Sequence, residues 1–239
     1  TFGVIGERNP NAVAATIKPM TACLNYPLYH PENPHSDLNK LYASVIRSLG
    51  RIGHMNPALV KDSVHSIIKT LNDSFKYKSF LRENPRDKTS VRWSAAFAVD
   101  AIGTSAPQLI VPHLVKCLTD SKKPIRDYGA TALNKLAHDP TRVIPPLIQC
   151  LGDERPSIRE EATKFLVKIG QGSPKYVVPS LITCFRSKNP LVKQHAALAL
   201  GDIGKSRPND IKSAVPILLK ALEDENKEVR QQSADALFK

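Results

Sequence analysis

The stretch Arg92-Trp93-Ser94-Ala95-Ala96-Phe97-Ala98-Val99 decides the fold, because four others lie on top of it: 126–133, 159–166, 193–200 and 230–237. Each opens on a basic residue (Arg92, Arg126, Arg159, Lys193, Arg230) and reaches an apolar one seven positions on (Val99, Leu133, Leu166, Leu200, Leu237). Successive stretches start 34, 33, 34 and 37 residues apart. A near-constant step of this size marks a repeat array, whose units bury their apolar faces only by stacking on one another.

Small residues recur at the third, fourth and sixth positions after the basic one, and an aliphatic residue at the tenth: Ile102, Leu136, Ile169 and Ile203. One helical stripe has that spacing, and strand alternation does not. Gly103, Gly170 and Gly204 follow, where a helix C-terminus favours a residue that accepts a left-handed backbone. Upstream, Val111-Pro112, Ile144-Pro145, Val178-Pro179 and Val215-Pro216 align in a first helix, whose proline should bend it or mark its first turn. The second-helix register also fits 41–53, and Phe2, Ile5 and Gly6 fit its end. The expectation is one all-α solenoid over 1–239, about six antiparallel helix pairs, opening inside a second helix and stopping inside another at Phe238. Without polar caps at either end, it reads as a segment of a longer array.

With acidic and basic residues six apart (Asp120 and Arg126, Asp153 and Arg159, Asp224 and Arg230), the two-helix unit resembles HEAT repeats, in particular the short phycobilisome-lyase-like form. The resemblance implies an armadillo-like superhelix. It also implies a structural ladder along the stack, formed by those acidic and basic pairs. Ser187 and Lys193 depart from the pattern, so one rung should be weak or absent. For function the resemblance is almost silent, because the architecture hosts many unrelated roles.

At 41% hydrophobic and 23% charged, the chain is too apolar for disorder. No apolar run is long enough for a bilayer, and the N-terminus lacks signal-peptide features, so no membrane role is expected. The net charge of +12 is spread out: 13 basic residues face 8 acidic ones up to Ala106, and 21 face 14 beyond it. Such an excess argues about partners, not about fold.

Cys117, Cys150 and Cys184 recur at the repeat spacing, and Cys23 fills the same first-helix slot. Neighbouring slots lie about 8–10 Å apart in packed helices, beyond disulfide reach. All four read as small buried apolar residues, and their unpaired thiols suit a reducing, intracellular compartment, cytoplasmic or nuclear.

Enzyme signals are thin. No phosphate loop, His-Glu-x-x-His or Cys-x-x-Cys occurs. Deoxyhypusine hydroxylase, an enzyme of this fold, binds iron through paired His-Glu motifs, and this chain has no His-Glu dipeptide. His30, Glu32, His35 and Asp37 lie close in a proline-rich loop and read as solvated turn formers rather than metal ligands. His113 and His195 show no evident partner. A bilin lyase has no residue-level support. The expectation is a non-enzyme with no catalytic residue, metal, cofactor or small-molecule substrate.

The period breaks twice, at long turns over 26–40 and 74–90. The second interleaves Phe75, Tyr77 and Phe80 with Lys76, Lys78 and Arg82, a mixture suited to anionic partners. Directly after it come Trp93 and Phe97, one turn apart, where other repeats carry mainly polar residues. They form a partner-binding hot spot on the concave face, unless the insertion folds back over them. Lys122, Lys123, Arg155 and Lys188 would form a basic edge at the turns. Three functions follow in order. The first is a protein-protein scaffold that binds an extended or acidic partner segment. The second is nucleic-acid binding along the basic edge. The third, less favoured, is a lyase or repair enzyme.

Overall fold

The computed structural model describes residues 10–25, 37–74 and 91–239, without the side chains of residues 10–13, 25 and 38. Every regular element among them is helical, and they belong to two compact units, Thr1–His113 and Leu114–Lys239. The first unit holds α1 (Pro10–Asn25), α2 (Asp37–Met55), the short α3 (Pro57–Val60), α4 (Val64–Ser74) and α5 (Val91–Ser105). α6 (Pro107–Leu118) begins in it. The second unit continues with α7 (Lys123–Leu136), α8 (Pro140–Cys150), α9 (Pro156–Gly172), α10 (Pro174–Cys184), α11 (Pro190–Ser206), α12 (Val215–Ala221) and α13 (Lys227–Phe238).

The expected stripe is the core. Val99, Leu133, Leu166 and Leu200, at the seventh position, are each at most 1% exposed. The third position is equally dry, with Ala95, Ala162, Ala196 and Ser233 fully buried. Prolines start many of the helices, since the missing N–H belongs there to a group with no intrahelical partner. Pro57, Pro107, Pro140, Pro156, Pro174 and Pro190 open α3, α6, α8, α9, α10 and α11. The first-helix prolines fall in two places, and one of them marks a first turn as expected. Pro112, Pro145 and Pro179 lie inside α6, α8 and α10, whereas Pro216 stands in the first turn of α12.

Three expectations need correction here. The long turn expected over 26–40 is shorter at its end, because α2 begins at Asp37, whose carboxylate pairs with Lys40 at 3.0 Å. An acidic residue in a first helical turn faces the positive end of the helix dipole, which favours that start.

The repeated glycines also serve a different purpose. No described residue has positive φ, and Gly103, Gly170 and Gly204 lie inside their helices. At Gly170 and Gly204 what matters is space. A Cβ on Gly170 would stand 2.4 Å from Ile203 Cδ1, and one on Gly204 2.6 Å from Ile211 Cδ1. A second glycine site is tighter because it meets backbone. A Cβ on Gly50 would lie 2.6 Å from Ala98 Cα, and one on Gly201 2.8 Å from Ala236 Cα. Both sites use the eighth position of one second helix against the sixth of the next. Asn134 and Val167 fill the eighth position in α7 and α9, and Phe165 the sixth in α9.

Cys117, Cys150 and Cys184 are buried, as expected, but Cys23 near the end of α1 is exposed. Burial pushes the Cys150 thiol up to about 12 and that of Cys184 up to about 11. Only thiolate reacts appreciably with disulfide reagents. Native protein treated with a thiol-exchange reagent at pH 8 is therefore expected to lose one thiol quickly, and that reaction should vanish in Cys23→Ser. Fast release of three or four thiols without denaturant would contradict this packing.

Candidate functional site

α5 carries the ring pair. Trp93 and Phe97, four residues apart and thus on one helix face, stack at 5.4 Å between centroids with planes 11° apart. Both are half-buried, on the opposite side of α5 from Val99 and Ile102. The insertion residues Phe75, Lys76, Tyr77, Lys78, Phe80 and Arg82 lie outside the described residues, as do His30, Glu32 and His35. The parallel position to Phe97 in α2 is Arg47, whose Nη1 donates to Ser94 Oγ at 3.0 Å. Arg51 follows one turn on and is exposed. Sequence reading missed both arginines, although aligning 41–53 with 91–103 places Arg47 on the slot of Phe97.

The turns between helices show how the recurrent acidic and basic residues work. Arg126 Nη1 donates to the main-chain oxygens of Asp120 and Ser121 at 2.9 and 2.7 Å. Arg159 does the same to Asp153 and Glu154 at 2.8 and 2.9 Å, and Arg230 to Asp224 and Glu225 at 2.8 and 3.0 Å. The aspartate side chains instead accept from backbone N–H two residues on, in Lys122, Arg155 and Asn226. These contacts close each turn on itself rather than running from repeat to repeat.

The rung expected to be weak is rerouted. Ser187 Oγ accepts from the Asn189 N–H at 3.1 Å, taking over the aspartate's role. Lys193 has no fork to span two carbonyls and reaches into the next repeat, pairing with Asp224 at 2.7 Å. Burial would raise the Asp224 carboxyl, but the hydrogen bonds from Lys193 and the Asn226 backbone hold it below its ordinary range.

Two of the four basic-edge residues, Arg155 and Lys123, are paired with neighbouring carboxylates. Arg155 binds Asp153 through two hydrogen bonds of 2.9 Å, and those bonds hold the Asp153 carboxyl down to about 2. Lys123 pairs with Asp127. Lys122 and Lys188 are exposed, without a side-chain hydrogen bond or ion pair among the described residues. Beside Lys188 a cleft of about 870 Å³ sets Arg186 and Lys188 against Glu223 and Glu225. Its charge is mixed.

His195, expected to lack a partner, is instead the centre of a closed circuit. It is 7% exposed on α11. Thr163 Oγ1 donates to Arg159 O at 2.7 Å, so it can only accept from His195 Nδ1, 3.0 Å away. Arg159 Nε donates to His195 Nε2 at 3.2 Å. Both ends therefore require the same neutral tautomer, with its proton on Nδ1. Burial lowers the affinity of this ring for a second proton, and the Arg159 charge lowers it further against a smaller opposing effect of Glu160. The circuit ties α9 to α11 and is structural.

The described residues contain no group of three or more His, Cys, Asp or Glu placed to hold a metal ion. No described helix is long and apolar enough to cross a membrane.

Residues 111–177 and 178–239, more than half the chain, match a family model described as HEAT repeats. The chain belongs to the HEAT-repeat family, and its fold class is the all-α solenoid of stacked helix pairs. Such repeats are typically protein-interaction scaffolds. Two solved structures are similar at 17% identity. One is a designed armadillo repeat protein, with 93% of this chain and 98% of that one covered and a TM-score of 0.32. The other is human deoxyhypusine hydroxylase in complex with glycerol, with 96% and 98% covered and a TM-score of 0.35. No curated protein sequence matches.

Proposed function

We propose that the chain is a non-enzymatic scaffold, binding an extended segment of a partner protein across the exposed faces of its second helices. The observation that carries this reading is the stacked pair of Trp93 and Phe97 on such a face. Half-buried aromatic pairs supply large contact area at small conformational cost, and they dominate interface energetics. The basic-aromatic insertion 74–90, adjacent in sequence, belongs to the same proposed site.

Nucleic-acid binding along the turns is the second reading, and of the four edge residues only Lys122 and Lys188 favour it. Polyanion binding needs uncompensated cations, whereas Arg155 and Lys123 are already paired with Asp153 and Asp127.

The test is the double variant Trp93→Ala/Phe97→Ala, immobilised beside wild type and exposed to a cell extract, with retained proteins quantified. A partner captured reproducibly by wild type should fall about tenfold or more, since loss of central aromatic anchors commonly costs upwards of 2 kcal/mol. The helical circular dichroism should persist. Equal capture by a folded double variant would remove Trp93 and Phe97 from the binding site.

A further inference from the structure

We propose that the cleft at the turn between α10 and α11 receives an arginine side chain of a partner protein, whose guanidinium bridges the main-chain oxygens of Ser187 and Lys188. The surface lies within the unit Leu114–Lys239. It goes beyond the scaffold reading and uses neither Trp93 nor Phe97.

Other turns of the same chain show what such a turn holds. Arg126, Arg159 and Arg230 each place Nη1 between two successive carbonyl oxygens, at 2.7 to 3.0 Å. The turn at Ser187 keeps the same backbone without that donor. On its incoming side the Ser187 N–H donates to Cys184 O at 3.0 Å, as those of Asp120, Asp153 and Asp224 do to Cys117, Cys150 and Ala221 at 3.1 to 3.2 Å. On its outgoing side Asn189 has φ −84° and ψ 114°. Lys122, Arg155 and Asn226 have φ of −82° to −88° and ψ of 119° to 124°. The oxygens of Ser187 and Lys188 are therefore presented as a pair, while Lys193, at the arginine position, is committed to Asp224.

The cleft of about 870 Å³ opens at this turn, with Ser187, Lys188 and Lys193 in its lining. Phe185 and Ile217, both half-buried, also line it and suit the aliphatic stem of an arginine. From the next turn come Glu223 and Glu225, exposed and in no ion pair among the described residues. With Nη1 on the carbonyl pair, a guanidinium keeps Nε and Nη2 for a carboxylate, whereas an ammonium is a single point with no second arm. Arg186, Lys188 and Lys220 line the cleft too and repel a cation, so hydrogen-bond geometry rather than net charge selects the guest.

The test is an amide NMR titration of the isotope-labelled chain with the capped peptide Ser-Leu-Arg-Leu-Ser and its lysine and glutamate counterparts. The arginine peptide should shift the amide signals of Ser187, Lys188 and Asn189 saturably. It should bind about tenfold more tightly than the lysine one, the scale of one charge-assisted hydrogen bond. Lys193→Arg should abolish binding, because the chain then supplies its own bridge as Arg126 does. Glu223→Gln with Glu225→Gln, at exposed sites, should bring the arginine peptide down to the level of the lysine one. Equal affinity for the two peptides, undiminished binding to a folded Lys193→Arg variant, or an arginine preference that survives loss of both glutamates overturns the proposal. So does the absence of any shift at about 5 mM peptide, beyond which binding carries under about 4 kcal/mol. A glutamate peptide that binds this cleft more tightly than the arginine one overturns it in favour of an acidic partner. None of these results bears on the Trp93–Phe97 site, whose own test is separate.

Discussion

His195→Asn is expected to make the unit Leu114–Lys239 less stable at neutral pH and to remove much of its sensitivity to mild acid. Asparagine keeps a donor toward Thr163 Oγ1 but offers no acceptor to Arg159 Nε, so a part-buried charged donor loses its partner. That loss commonly costs about 2 kcal/mol. In the wild type the ring resists protonation because it is buried and faces Arg159. A histidine whose folded pKa lies below its unfolded value, about 6.5, contributes stability that is complete above that value. The contribution is lost as pH falls from there through the folded pKa, because only the unfolded chain takes up the proton. The slope cannot exceed about 1.4 kcal/mol per pH unit for one group. Denaturant titrations at pH 7.5, 6.5 and 5.5 on both proteins would read the effect. If the variant retains the wild-type slope, the circuit does not govern acid stability.

Gly50→Val should be the more damaging substitution. Its first side-chain carbon would meet the Ala98 Cα at 2.6 Å, and backbone cannot swing aside as a side chain can. Overpacking of this kind costs about 3 kcal/mol or more when α2 and α5 must separate to relieve it. Gly172→Ala is the control, because nothing lies within 4 Å of its added carbon. It should leave stability unchanged or raise it by up to about 1 kcal/mol through helix propensity. Thermal melts of the three proteins decide the matter. A Gly50→Val melting temperature equal to wild type would show that α2 and α5 do not approach as closely as the geometry states.

Periodicity made the helix pairs legible, because a stacked unit must repeat its buried residues at fixed spacing. Trp93 and Phe97 were legible for the converse reason: they occupy a slot the period leaves free. What escaped notice depends on the distance between neighbouring helices, which no single helix encodes. Glycine after a helical stripe suggests a left-handed cap, yet these glycines are helical and make room for Ile203, Ile211 or a neighbouring backbone. The pairing of Lys193 with Asp224, and of Arg159 with His195, needs the register of adjacent repeats. Arg126 and Asp120 were correctly grouped by their separation of six. Their bonds turned out local because a guanidinium at that distance reaches the turn carbonyls first.

The glycine contacts also have a mechanical meaning. Where α11 meets α13, Gly201 lies against Ala236, and two backbones touch with no rotatable group between them. The corresponding register positions on α9 and α11 hold Val167 and Ala199, and the His195 circuit ties these two helices. A joint of backbone on backbone resists sliding, since any displacement brings hard contacts together. One that rests on a side chain and a few hydrogen bonds yields sooner. Stiffness in this family member is thus set residue by residue at a single slot. Under tension the seam at Val167 should slip before the seam at Gly201.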